Sequence, residues 1–160
     1  MARVAGSTRG FLASVNKWTK QTEARSEAAF QNGLLDFYDA LSDATPVLTG
    51  NLRNSLIASL NSGGAVSGVM GPGLTPGDST FRSGASQSIA TIMSAKIGDR
   101  VSFRYGATYA MRLNYGFHGV DSLGRMYNQP GRFWIQGVGA RYRSIMRSAA
   151  TRLRNGTAVS

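Results

Sequence analysis

Apolar residues recur at spacings of three and four across residues 8–43. Phe11, Val15, Trp18 and Thr22 come first, then Phe30, Leu34, Phe37 or Tyr38, and Leu41. That period predicts one long amphipathic helix. Ser7 or Thr8 is suited to cap its start. Gly33 costs the helix about 1 kcal/mol relative to alanine, which predicts a kink or a close packing contact there. Pro46 stops the helix and pushes Thr45 into extended backbone.

Strand-like segments follow. Residues 52–60 alternate moderately, and residues 65–70 come after the turn residues 61–64. Residues 100–106 alternate cleanly, with Val101, Phe103 and Tyr105 on one face and Arg100, Ser102 and Arg104 on the other. Residues 86–97 predict a short helix with Ile89, Ile92, Met93 and Ile97 inward, although the segment also fits a strand. Residues 109–116 predict a short apolar turn or helix ended by Gly116. Residues 132–154 predict one amphipathic helix with Trp134, Ile135, Val138, Tyr142, Ile145, Ala149 and Leu153 on one face. Arg143, Arg147 and Arg154 fall opposite, and Arg141 and Arg152 flank the apolar stripe. Two glycine-rich stretches, 71–87 and 117–131, read as long loops. Residues 1–8 and 155–160 read as flexible termini. The fold class predicted is α+β in a single domain over 1–160: a small antiparallel sheet packed by the long N-terminal helix and the C-terminal amphipathic helix.

Composition sharpens this in two ways. With 42% hydrophobic and 16% charged residues the chain is globular rather than disordered. No stretch approaches the roughly 20 apolar residues of a membrane span, and the N-terminus lacks a signal-peptide core. The expectation is a soluble protein made in the cytoplasm, without membrane contact. The net charge of +10 is unevenly placed: all eight acids lie at or before Asp121, and seven arginines follow it. Arginine forms fixed bidentate contacts with carboxylate or phosphate, so this tail suits an acidic protein surface or DNA as well as plain solvation. Asp36, Asp39 and Asp43 crowd the C-terminal turns of the first helix, where the helix dipole disfavours them.

Candidate chemistry is sparse. There is no cysteine, and the single histidine, His118, has only Asp121 near it in sequence, too few ligands for a metal. No G-x-S-x-G elbow is present, and the acids gather on one helix rather than in a cleft. The run GPGLTPG lacks the lysine of a phosphate loop, and its prolines remove amides such a loop needs. The expectation is no enzyme, no catalytic or metal site and no cofactor. Tyr105, Tyr109, Tyr115 and Tyr127 could stack on bases, but no nucleic-acid recognition motif accompanies them.

Three segments in order carry a resemblance: TPVLTGNLRNSL at 45–56, YAMRLNYGF at 109–117, and QPGRFW at 129–134. Together they resemble the neck and tail-completion proteins of long-tailed double-stranded DNA phages, including the Z-type minor tail proteins. That family shows a T-P-V-x-T-G-x-L-x-x-S joint, a later Y-A-x-x-[IL]-E-Y-G box, and a proline-glycine segment opening the final helix. The match falls on Thr45, Pro46, Val47, Thr49, Gly50, Leu52, Arg53 and Ser55, and on Tyr109, Ala110, Leu113, Tyr115 and Gly116. Asn114 stands where the family has glutamate, so a pair with a basic residue is absent or replaced by a neutral hydrogen bond.

The resemblance implies a non-enzymatic virion protein at the head–tail junction. It implies a homo-oligomeric ring, a hexamer, around the DNA channel. The implied neighbours are head-closure, tail-terminator or tail-tube proteins, with packaged DNA passing through. Residues 45–55 and 109–116 would pack as a structural joint. Arg141, Arg143, Arg147, Arg152 and Arg154 would face a neighbouring protein or DNA. Arg53 would pair with Asp36, Asp39 or Asp43, or lie at a subunit boundary. The alternatives are a basic nucleic-acid-binding module and a tail-assembly factor absent from the mature particle.

Overall fold

The computed structural model describes residues 5–47, 50–61, 84–120 and 122–156. Within them the chain is mixed helix and sheet. The long helix α1 (Ala5–Ala44) is followed by a single turn, α2 (Asn51–Asn54), and strand β1 (Leu56–Leu60). Next come α3 (Ala85–Met93), β2 (Val101–Tyr105) and α4 (Ala110–Tyr115). Strands β3 (Gly116–Val120) and β4 (Met126–Pro130) precede α5 (Trp134–Ala140) and α6 (Tyr142–Arg154). The strands form two separate antiparallel pairs, β1 with β2 and β3 with β4.

The main core forms where the second half of α1 meets β1, α3 and α5. Leu34, Tyr38 and Leu41 of α1 pack with Leu56, Ala58, Ile92, Ala95 and Val138. These α1 residues follow the three-and-four spacing, so one stripe of the helix is buried. The first half of α1 behaves differently. The same period places Phe11, Val15 and Trp18 on an inward stripe, yet every residue from 8 to 26 is exposed. At 40 residues the helix is about 60 Å long, and only its second half has a core to pack on.

Helix α6 packs across α1 at Gly33, where Met146 occupies the space a side chain would need; a Cβ there would lie 2.5 Å from its sulfur. The glycine therefore serves close packing, and α1 runs through it unbroken. Phe37 makes an edge contact with Tyr142 and a tilted one with Phe103, with centroids 5.3 and 5.4 Å apart. Gln31 donates from Nε2 to the carbonyls of Met93 and Ala95, which ties the end of α3 to α1.

Several elements differ from the pattern reading. Residues 52–60 are not one strand: α2 occupies 51–54 and β1 begins at Leu56. Gly50, at φ +78°, turns the chain sharply, so the next residues complete a helical turn before pairing starts. Helix α3 ends at Met93, short of the predicted 97, and of the four predicted inward residues only Ile92 is buried, whereas Ile89, Met93 and Ile97 are exposed. Ser88 and Ala95 take the inward positions instead. Ser88 Oγ accepts the Ala58 N–H at 3.0 Å, so the helix docks on β1 through a hydroxyl.

Residues 117–131 are not a loop: most of them form the β3–β4 hairpin, paired from Gly116–Pro130 to Val120–Met126. Residues 132–154 are two helices, broken at Arg141, so Trp134 and Val138 face the core while Ile135 and Tyr142 are exposed. The predicted strand 65–70 and most of the predicted loop 71–87 lie outside the described residues, as do residues 1–4 and 157–160 of the predicted flexible termini.

The open end of the β1–β2 pair is closed by side chains. Asp99 accepts from Asn61 Nδ2 at 2.8 Å and from the Lys96 N–H at 2.7 Å, while Asn61 Oδ1 accepts the Arg100 N–H. The Asn61 bond, then the Lys96 bond, holds the Asp99 carboxyl below its ordinary range. A carboxyl lowered in the folded state adds stability above its unfolded pKa, and that increment is lost as pH falls through the folded value. Asp99→Asn is therefore expected to make melting temperature less sensitive to acid between about pH 5 and pH 2, measured against the parent protein.

Candidate functional site

A second, smaller core joins the segments that carry the resemblance. Leu52 of α2 packs with Ala107, Ala110 and Trp134. Ala44 and Tyr105 touch both cores and link them. Leu52 reaches this place because Pro46 ends α1 and Gly50 reverses the chain into α2.

A chain of polar contacts runs through the same place. Trp134 Nε1 donates to the Tyr105 hydroxyl at 3.1 Å, and that hydroxyl lies 2.7 Å from Thr45 Oγ1. Thr45 Oγ1 donates to the Leu41 carbonyl at 2.6 Å. The Tyr105 hydroxyl also lies 3.2 Å from the same Leu41 carbonyl, so both hydroxyls converge on the last turn of α1, and either can donate to the other. Burial pushes the Tyr105 hydroxyl above its ordinary pKa, partly offset by the bonds with Thr45 and Trp134. It therefore remains a donor at neutral pH. The rings of Tyr105 and Trp134 also meet edge to face at 5.9 Å.

Arg53 does not pair with Asp36, Asp39 or Asp43 through its Nε, which donates to the Ser42 carbonyl at 2.9 Å. That carbonyl also accepts the Thr45 N–H at 3.3 Å, and a guanidinium there suits the negative end of the helix dipole. The acid that does gain an arginine is Asp36, which pairs with Arg152 of α6. Arg152 thus ties α6 to α1 within the chain, a correction to its expected outward role. Both side chains are about one-third exposed, 37% and 35%, so solvent screens the pair.

Asn114 is fully buried at the end of α4. Its Oδ1 accepts the Ile135 N–H at 3.3 Å, and its Nδ2 donates to Gln136 Oε1 at 3.0 Å. The carbonyls of Leu113 and Asn114 accept the N–H groups of Arg132 and Phe133. A neutral amide thus holds the start of α5. Asn114→Ala removes a fully buried amide and leaves the part-buried Ile135 N–H without this acceptor, and is expected to cost about 1–3 kcal/mol in urea unfolding.

Of the remaining predicted joint residues, Pro46 is half-buried, Tyr109 and Leu113 pack on the second core, and Tyr115 is exposed against Phe133. Gly116 has φ +86° and lies against the backbone of residues 129–131. Thr49 lies outside the described residues. Tyr105, Trp134 and Gln136 belong to the joint too, although sequence reasoning does not assign them to it. Tyr105 reads as a strand residue or a stacking ring and Trp134 as a helix face closing QPGRFW, and neither reading shows the bonds, which span 60 and 29 positions.

Arg141, Arg143, Arg147 and Arg154 are exposed. Arg143, Arg147 and Arg154 share one face of α6 by their spacing of four and seven. The acids near the end of α1 repel one another: burial first, then Asp43 and Asp36, push the Asp39 carboxyl up. The β3–β4 hairpin carries Val120, Leu123 and Met126, all exposed, at its tip. Among the described residues there is no group of three metal-ligating side chains, and no helix is long and apolar enough to cross a membrane. Comparison with family models, curated proteins and solved structures finds no match to the chain.

Proposed function

We infer that this chain is a structural protein of the head–tail junction in long-tailed double-stranded DNA phages. In this reading it is a neck or tail-completion subunit, not an enzyme, and closes into a homomeric ring of about six copies around the DNA channel. It would sit between head-closure, tail-terminator or tail-tube proteins. The observation that carries the reading is the meeting of TPVLTGNLRNSL, YAMRLNYGF and QPGRFW in one joint, through Leu52, Ala110, Asn114 and Trp134. Segments far apart in sequence that share a family's order also share one place in the fold.

A ring closed by rotation needs two unlike surfaces on each subunit. The apolar hairpin tip and the arginine face of α6 offer surfaces of different chemistry. The test is particle assembly in a phage encoding this chain. Deleting its gene is expected to leave separate heads and tails, with the protein present in purified wild-type virions. Joined, infectious particles without it would exclude the reading, and absence from virions would make it an assembly factor.

A second reading draws on Arg143, Arg147 and Arg154, exposed on one helix face: a nucleic-acid-binding module. DNA binding by the purified chain that weakens steeply with salt, and is lost in the triple glutamine variant, would favour it.

A further inference from the structure

The first half of α1 carries a seam written for another helix. From Thr8 the positions alternate by three and four: Thr8, Phe11, Val15, Trp18, Thr22 and Arg25. This is the a/d repeat of a helix pair. Among the described residues none of it is covered, and Phe11 and Trp18 are 66% and 67% exposed.

The positions beside the seam point the same way. Leu12, Ser14, Thr19 and Gln21 occupy the flanking e and g positions, and none is charged. Arg9, Lys17, Lys20 and Glu23 all fall on the outer positions. A merely solvated helix has no reason to sort its charges so. The hydroxyls have also been turned inward: Ser14, Thr19 and Thr22 donate to the carbonyls of Gly10, Val15 and Trp18 at 2.9, 3.0 and 2.8 Å. They make no demand on a partner, so the face can be covered without leaving a donor unpaired.

We propose that this segment pairs antiparallel with the same segment of a second copy of the chain. The side-chain sizes decide both occupant and direction. Antiparallel overlay sets Trp18 against Val15 and Phe11 against Thr22 of the other copy, a large residue opposite a small one in each layer. Arg25 then lies beside Thr8. Parallel overlay would stack Trp18 on Trp18, Phe11 on Phe11 and Arg25 on Arg25. Arg9, Lys17 and Lys20 face away from the seam, and in the antiparallel overlay the two Arg25 side chains lie at its opposite ends, so like charges do not oppose one another. A Phe or Trp side chain covers roughly 150–250 Å², so the exposed parts of Phe11 and Trp18 present roughly 250 Å² per copy. That is about a third of the ~800 Å² each partner gives a standard-size interface, before Leu12 and Val15 are added.

This contact does not depend on the ring reading. A two-fold contact yields a dimer, whereas a ring needs a heterologous surface elsewhere.

The test uses the purified full chain and sedimentation equilibrium at micromolar concentration. The parent is expected to associate, with the dissociation constant raised at least tenfold by Trp18→Lys or Val15→Glu and unchanged by the outer-face variant Lys20→Glu. Residues 8–26 lie outside both cores, so the melting of the body should not move in any of them. Because the chain has no cysteine, direction can be read separately. A mixture of Phe11→Cys and Thr22→Cys chains is expected to form the mixed disulfide on mild oxidation, and Phe11→Cys alone is not. A parent that stays monomeric, seam variants that associate like the parent, or a Phe11→Cys self-disulfide in preference to the mixed one would each overturn the proposal. Larger assemblies that survive the seam substitutions would leave the ring reading standing while this one falls.

Discussion

Trp134→Ala is expected to lower the unfolding free energy by about 3–5 kcal/mol. The indole is almost fully buried and forms the floor of the second core under Leu52, Ala107 and Ala110. Its removal leaves a cavity between α2, α4 and α5. It also takes away the donor to the Tyr105 hydroxyl, the first link of the chain that ends on Leu41. In a domain of this size each kcal/mol moves the melting temperature by about 2–4 °C, so a fall on the order of 10 °C is expected by circular dichroism. Trp134→Phe separates the two effects: it keeps a ring in the core and loses the N–H, at a cost of about 1 kcal/mol from the hydrogen bond. Equal effects from the two substitutions would show that the bond, not the packing, holds the joint.

Gly116→Ala is expected to cost about 2–4 kcal/mol. Two separate causes add here. The residue has φ +86° and ψ 170°, a region that side chains other than glycine's hydrogen rarely enter. An added Cβ would also lie 2.7 Å from the Gln129 oxygen and 2.7 Å from the Gly131 nitrogen, both backbone atoms. Neither can swing aside as a flexible side chain could. A Cβ added at Gly131 would likewise lie 2.5 Å from the backbone of Tyr115. The base of the hairpin and the end of α4 thus touch backbone to backbone. The substitution should loosen the β3–β4 hairpin first, seen as faster amide exchange in residues 116–130 than in α1.

How far the sequence shows all this depends on the reach of each signal. The second half of α1 is legible because Leu34, Tyr38 and Leu41 repeat within one helix, and burial follows the repeat. Phe11 and Trp18 obey the same repeat and are exposed, since periodicity reports that a face exists and not what covers it. The break at Arg141 has no proline to announce it. Gly137 and Gly139 lower helix propensity just before it, a weak cue beside the unbroken apolar stripe. The β3–β4 hairpin hides because its strands mix glycine, histidine and asparagine rather than alternate. The joint was legible in its corners, Pro46 and Gly50, which act on adjacent backbone. Tyr105 and Trp134 complete it from distant positions, and no local pattern announces a bond between strand and helix. Asn114 reads as a departure from a motif; only its burial shows that its amide satisfies the start of α5.

The exposed half of α1 would be a marginal helix on its own, since starting a helix fixes several residues for a single bond. Here that start is already made: the turns around Leu34 and Tyr38 are held by the core, and residues 5–26 need only extend them. Helix content in the outer half is thus borrowed from the inner half and fades outward from it, turn by turn. Anything that grips the tip meets a rod whose order is seeded about 30 Å away.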